Sequence, residues 1–303
     1  TNEQGIGGVT LELLKNGVGT GITTVTSTAA GKVGYYEFID LLPGSYGVRE
    51  VQPAGWFDGK DTAGSHGGVA GNDIITGAVL NYGDDGINYN FGELLPGSIS
   101  GRVIYPQGVD CDFEDPKAFL EGIRIDLLDS SGNQIATTTT NAQGEYSFTG
   151  LAPGSYQIRE HQPTQYYDGG ERVGSAGGSK HDVAGVYSFF TGIVLTSGLD
   201  AVNYDFCEHI GADLSGWVYH DRDNDGNFDR PGEQGIGGVT IELIVNGAVT
   251  GITTVTSTAP GNVGFYEFRN LAPGTYTVRE TQPANWLDGK DKEGSHGGVA
   301  GND

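Results

Sequence analysis

Apolar and polar residues alternate in short runs along this chain, and the runs end in clusters of Gly, Pro, Asn and Asp. Period-two alternation predicts half-buried β-strands, and the clusters predict the turns between them. In the middle of the chain the pattern predicts strands near Ser98–Tyr105, Gly122–Leu128, Gln134–Thr140, Gly144–Phe148 and Ser155–Glu160. A long Gly-rich loop is expected over Tyr166–His181, followed by closing strands near Tyr187–Leu195 and Ala201–Cys207. About seven strands joined by short hairpins make a β-sandwich. No long apolar segment at helical spacing is present, and none has the length of a membrane-spanning helix.

Alternation also assigns faces. Tyr156, Ile158 and Glu160 point one way, whereas Arg159 points the other. Glu160 and its equivalents Glu50 and Glu280 therefore share a face with core residues. A carboxylate in such a position needs a partner.

The pattern repeats. Thr1–Asp73 and Pro231–Asp303 are identical at about 53 of 73 positions without a gap, and a weaker copy lies between them. The segments GKVGYYEFIDLLPGSYGVRE (31–50), QGEYSFTGLAPGSYQIRE (143–160) and GNVGFYEFRNLAPGTYTVRE (261–280) carry the likeness. The chain reads as three modules of all-β type: 1–97 lacking a first strand and loop, 98–212 complete, and 213–303 lacking its last strands. Such arrays space, reach or polymerise, and rarely catalyse.

Composition narrows the partners. The net charge of −23 would repel nucleic acid, and no basic patch exists to release counterions. It equally disfavours anionic membrane surfaces. It suits a soluble extracellular chain and divalent cations. Glycine is abundant at 53 residues, but no short period accompanies it, so its role is turn chemistry.

One segment carries a metal-ligand pattern. Asp221, Asp223, Asp225 and Asp229 place carboxylates at loop positions 1, 3, 5 and 9, Gly226 supplies the sharp turn at position 6, and Asn227 offers a carbonyl at position 7. This is the front of an EF-hand-type Ca²⁺ loop. Glu233 stands at position 13, one residue beyond the usual bidentate Glu. No helices flank the loop, so the expectation is a structural clamp and not a sensor, the alternative being a solvated acidic turn. The first module retains only Glu3 as the match of Glu233. In the middle module Pro106, Gly108, Asp110 and Cys111 replace Asp221, Asp223, Asp225 and Gly226, so two ligands and the turn glycine are lost. That module also holds both cysteines of the chain. Cys111 follows its first strand and Cys207 ends its last. A disulfide between them would substitute a covalent clamp for the lost metal clamp, the alternative being two unrelated buried thiols. A disulfide implies an oxidising compartment.

A second recurring segment contains Asp58, Asp61 and Asp73, with Asp288 and Asp291 as counterparts, and returns in altered form over Asp168–Asp182. Three readings stand: a second cation site, an interface, or turn and strand-cap duty. Trp56 and Trp286 are the candidates for exposed contact. No Ser/His/Asp set, zinc spacing or phosphate loop occurs.

The combination G-x-Y-x-F-x-x-L-x-P-G-x-Y-x-[VI]-R-E-x-Q-P, preceded in the third module by D-x-D-x-D-G-x-x-D, resembles the B-type domains of serine-aspartate-repeat surface adhesins. These belong to the wider collagen-adhesin B-type group. The segment Asp58–Glu93 resembles the version found in very large secreted bacterial repeat proteins. The resemblance covers essentially the whole chain. It implies prealbumin-like β-sandwich modules placed end to end, a bacterial extracellular or cell-surface location, and Ca²⁺ at the Asp-rich loop. The expected function is a non-enzymatic, Ca²⁺-stabilised stalk or fibre, with neighbouring modules or other copies as partners. The alternative is an adhesin whose modules bind glycan or a partner protein.

Overall fold

The computed structural model describes residues 3–106, 111–114, 118–183 and 186–301. Every regular element among them is a β-strand. The chain divides into two compact units, Thr1–His161 with Gly170–Cys207, and Gln162–Gly169 with Glu208–Asp303.

The first unit contains two five-stranded antiparallel sheets of one topology. The first runs Val18–Val25, Thr10–Lys15, Gly44–Glu50, Ile74–Leu80, Val69–Gly71, and the second runs Gln134–Thr139, Arg124–Asp129, Gly154–His161, Tyr187–Leu195, Ser179–Val183. The shared register fixes equivalent positions. Val48 and Ala70 flank Ile75 in one sheet, and Ile158 and Lys180 flank Phe190 in the other.

The middle module adds a second layer. Gly97–Tyr105 pairs antiparallel with Glu145–Leu151 and parallel with Asp205–Ile210, so the first strand of the module lies beside its last. Alternate residues of both layers meet in the core. Ile99 and Val103 come from one layer, Ile125, Leu127, Ile158 and Ile193 from the other, all at 1 % exposure or less. The Phe190 ring, 4.8 Å from Phe206, joins the two. Burying side chains of this size stabilises by about 1.5–3 kcal/mol each.

Gly101 shows how tightly this core closes. A Cβ there would lie 1.8 Å from the Tyr204 carbonyl oxygen and 2.9 Å from the Tyr146 hydroxyl. That hydroxyl donates to the same carbonyl at 2.6 Å.

The expected loop over Tyr166–His181 is instead two strands, Tyr166–Arg172 and Ser179–Val183. Gly177 and Gly178, both at positive φ, turn the chain before the second of these. Ser179–Val183 is an exposed edge strand. It has no face to bury and therefore shows no apolar alternation.

In the second unit Ala248–Val255, Thr240–Val245 and Tyr276–Glu280 form one sheet, and Ala212–Trp217 pairs with Phe265–Leu271. Val218, Val239, Ile241, Leu243 and Phe268 make its core.

Candidate metal centres

The Asp-rich loop of the second unit folds around its own backbone. Asp221 accepts hydrogen bonds from the N–H groups of Asp225 at 3.2 Å and Gly226 at 2.9 Å. Asp225 accepts one from Asn227 N–H at 2.7 Å. Gly226 holds φ +82°, the left-handed conformation that glycine adopts without strain. The winding brings carboxylate oxygens of Asp221, Asp223 and Asp225 within 4.8 Å of one another. The neighbouring Asp225 charge pushes the Asp223 carboxyl up.

Glu233 is buried and turns back onto the loop. Its Oε1 accepts from Arg222 N–H at 2.7 Å and its Oε2 from Asp229 N–H at 3.0 Å. Position 13 thus reaches the loop after the Arg230–Gly232 step. Asp229 takes part through its backbone, and its carbonyl also accepts from Glu233 N–H at 2.9 Å. Its side chain is outside the group formed by the other three carboxylates. The donor set is all oxygen, acidic and closely spaced, which fits a hard divalent cation such as Ca²⁺.

In the middle module Gly108 and Asp110 lie outside the described residues. Cys111 and Cys207 are joined by a disulfide, with their Cα atoms 6.1 Å apart. Cys207 is fully buried on the closing strand, opposite Ile104 of the first strand. The bond closes the module where first and last strands meet. Two residues before Cys207, the buried Asp205 accepts from Arg102 N–H at 2.8 Å and from Arg172 Nε at 2.9 Å.

The second recurring segment gathers carboxylates in the first module. Glu50, Asp73 and Glu93 bring oxygens within 4.8 Å of one another. One oxygen on each of them, and one each on Asp58 and Asp61, is buried without a hydrogen-bond partner. Asp58 and Glu93 are placed face to face by the short ladder Phe57–Asp58 with Glu93–Leu94. Asp61 accepts from Gly92 N–H at 3.3 Å, and Glu50 N–H donates to the Asp73 carbonyl at 2.8 Å. Burial, and after it the Glu93, Asp61 and Asp73 carboxylates, push Glu50 up to about 8. Burial also raises Asp61, Asp73 and Glu93. Sequence reasoning placed Glu50 on the core face, but it grouped neither Glu50 nor Glu93 with the three aspartates. Asp288 and Asp291 of the third module are exposed.

The two tryptophans differ. Trp56 is half-buried, and its carbonyl accepts from Gln52 Nε2, so it is not the exposed platform expected. Trp286 is 40 % exposed and packs edge-on against His220, with centroids 5.1 Å apart.

Comparison with known proteins supplies the family. The profile of the SdrD B-like domain matches residues 1–76, 114–207 and 212–301. Serine-aspartate repeat-containing protein D of Staphylococcus aureus (strain Newman) is 29 % identical over 286 residues, covering 94 % of this chain and 21 % of that protein. Serine-aspartate repeat-containing protein F of Staphylococcus epidermidis is 31 % identical over 285 residues, covering 93 % of this chain and 16 % of that protein. The chain thus spans about a fifth or less of the curated relatives it matches. Among solved structures, two B repeat units of the collagen binding protein of Staphylococcus aureus share 16 % identity over 94 % of this chain and 66 % of theirs, with a TM-score of 0.22. The Bacillus anthracis TIE protein shares 16 % over 94 % of this chain and 44 % of its own, with a TM-score of 0.39. With three family matches that together take in most of its length, the chain belongs to the SdrD B-like domain family.

Proposed function

We propose that this chain is a run of non-enzymatic spacer modules of a bacterial surface protein, built to carry other parts away from the cell as a stalk or fibre. Ca²⁺ stiffens its third module at Asp221, Asp223, Asp225 and the Asn227 carbonyl, with Glu233 buttressing the loop. The Cys111–Cys207 disulfide does the corresponding work in the middle module.

The observation that supports this reading is the folded Asp-rich loop. Three carboxylates converge within 4.8 Å on a backbone already wound by its own hydrogen bonds. Like charges held this close repel, and a divalent cation removes the repulsion. A clamp of this kind adds stiffness and provides no reacting group. The partners in this reading are neighbouring modules and other copies of the chain.

Calorimetry on the chelator-stripped chain tests the proposal. Added Ca²⁺ should raise the melting of wild type, and Asp223→Asn with Asp225→Asn should remove the part of that rise due to the third module. Identical responses in wild type and the loop variant would refute the assignment of the loop.

A further inference from the structure

We infer that this chain pairs with a second copy of itself, edge to edge, along the strands Val18–Val25, Gln134–Thr139 and Ala248–Val255. This gives the spacer reading a surface on which other copies meet, and it does not depend on the Asp221–Glu233 loop.

Each of these strands ends its sheet, and among the described residues no strand lies beyond it. Proteins guard such edges with charge, proline, a bulge or short length. The opposite edges of the first two modules are guarded. Val69–Gly71 has only three residues, and Ser179–Val183 carries Lys180, His181 and Asp182. The three strands named above carry no charge and no proline. No charged residue occurs in 16–31, 130–144 or 243–266, in a chain with 39 acidic and 16 basic residues. Their one guard is a bulge toward the end nearer the hairpin. It leaves residues 23–25, 136–139 and 252–255 in regular register with the neighbouring strand.

The same strands expose apolar side chains. Ile22 and Val25 are each 55 % exposed, and their counterparts Ile252 and Val255 are 48 % and 56 % exposed. An uncharged, β-branched edge left open in a strongly charged chain is a template for another strand.

Charge and sequence together select a second copy as the partner. Two chains of net charge −23 repel each other, and they do so least where neither carries charge. The edge also complements itself. Antiparallel pairing about a two-fold axis centred on Thr23 sets Thr23 against its own copy and Ile22 against Thr24, so the facing side chains are all β-branched. Ile252, Thr253 and Thr254 repeat this arrangement, because residues 21–29 and 251–259 share the sequence GITTVTSTA. Thr137 holds the equivalent place in the middle module, opposite Asp126 as Thr23 is opposite Glu12. A few residues of one strand make a weak contact, and three such strands per chain let it be made more than once.

Sedimentation velocity of the chelator-stripped whole chain tests this. The mass of wild type should rise above that of the monomer as concentration approaches millimolar. Added NaCl should strengthen the association, because it screens the repulsion between copies. Val25→Lys with Thr139→Lys and Val255→Lys should stay monomeric, although these changes reduce the net negative charge. The matching triple of Glu substitutions should stay monomeric too, and an equal mixture of the two triples should associate, since Lys then meets Glu across the edge. A chain with Asp223→Asn and Asp225→Asn should associate as wild type does, which separates this contact from the loop. Should a triple variant not fold, amide hydrogen exchange of wild type carries the test, and residues 22–25 and 252–255 should exchange more slowly as concentration rises. A wild type that stays monomeric, a Lys triple that still associates, a folded mixture that does not, or edge exchange indifferent to concentration would overturn the inference.

Discussion

Arg159 Nη2 lies 2.8 Å from Asp126 Oδ2 across adjacent strands, and the carboxylate it meets is fully buried. Arg124 Nε at 3.0 Å and His161 Nε2 at 2.6 Å complete the set. The same cross-strand position is Glu12 with Arg49 in the first module and Glu242 with Arg279 in the third, where the acids remain partly exposed. Burial raises the Asp126 carboxyl, but hydrogen bonds from His161, Arg159, Thr137 and Arg124 outweigh it and hold the group well below the usual carboxylate range.

Asp126→Asn should therefore lower the stability of the middle module by about 2 kcal/mol, the scale of a charge-assisted hydrogen bond. Glu12→Gln should leave the first module's unfolding nearly unchanged, because that pair is screened by water. Urea titrations of the two variants measure the difference.

The Asp126 contribution also has a pH signature. Its folded value is depressed, so the stability it confers is complete above the unfolded carboxylate value of about 4. It is lost as pH falls from there through the folded value. The gap between wild type and Asp126→Asn should thus shrink as the solution is taken into acid. A gap that widened in acid would contradict the assignment.

Reduction should act on the middle module alone. The disulfide closes a loop with a sequence separation of 96, for which chain entropy gives roughly 4–5 kcal/mol. Cys111→Ser with Cys207→Ser should lower one calorimetric transition and leave those of the cysteine-free modules in place.

Calcium withdrawal should cost less. Extracellular modules bind calcium at about 10⁻⁴–10⁻³ M. At tenfold excess over Kd, a site adds about 1.4 kcal/mol. Melting in chelator against millimolar CaCl₂ should differ by that amount for the third-module transition, and the loop variant should show no difference there.

Gly101→Ala should destabilise the middle module by about 1–3 kcal/mol, since the added methyl must displace backbone. The obstacle is the Tyr204 carbonyl, 1.8 Å from the new atom. Thermal melting of this variant against Gly154→Ala would isolate the clash. Neither glycine has positive φ, and a Cβ at Gly154 would meet nothing nearer than 3.7 Å.

The sequence by itself determined the strands with one buried face, the threefold repeat and the acidic loop. Alternation and ligand spacing are local properties, so Thr10–Lys15, Arg124–Asp129 and Thr240–Val245 could be read without knowing their neighbours. Only the tertiary structure decided which strands pair and which carboxylates meet. Residues 263–268, VGFYEF, enter the strand Phe265–Leu271 because Ala212–Trp217 lies beside it, whereas the nearly identical VGYYEF at 33–38 forms no strand. Glu50 and Glu93 are 43 residues apart, and no pattern linked them. Their meeting depends on a turn, a two-residue ladder and burial, which are long-range consequences of closing the fold.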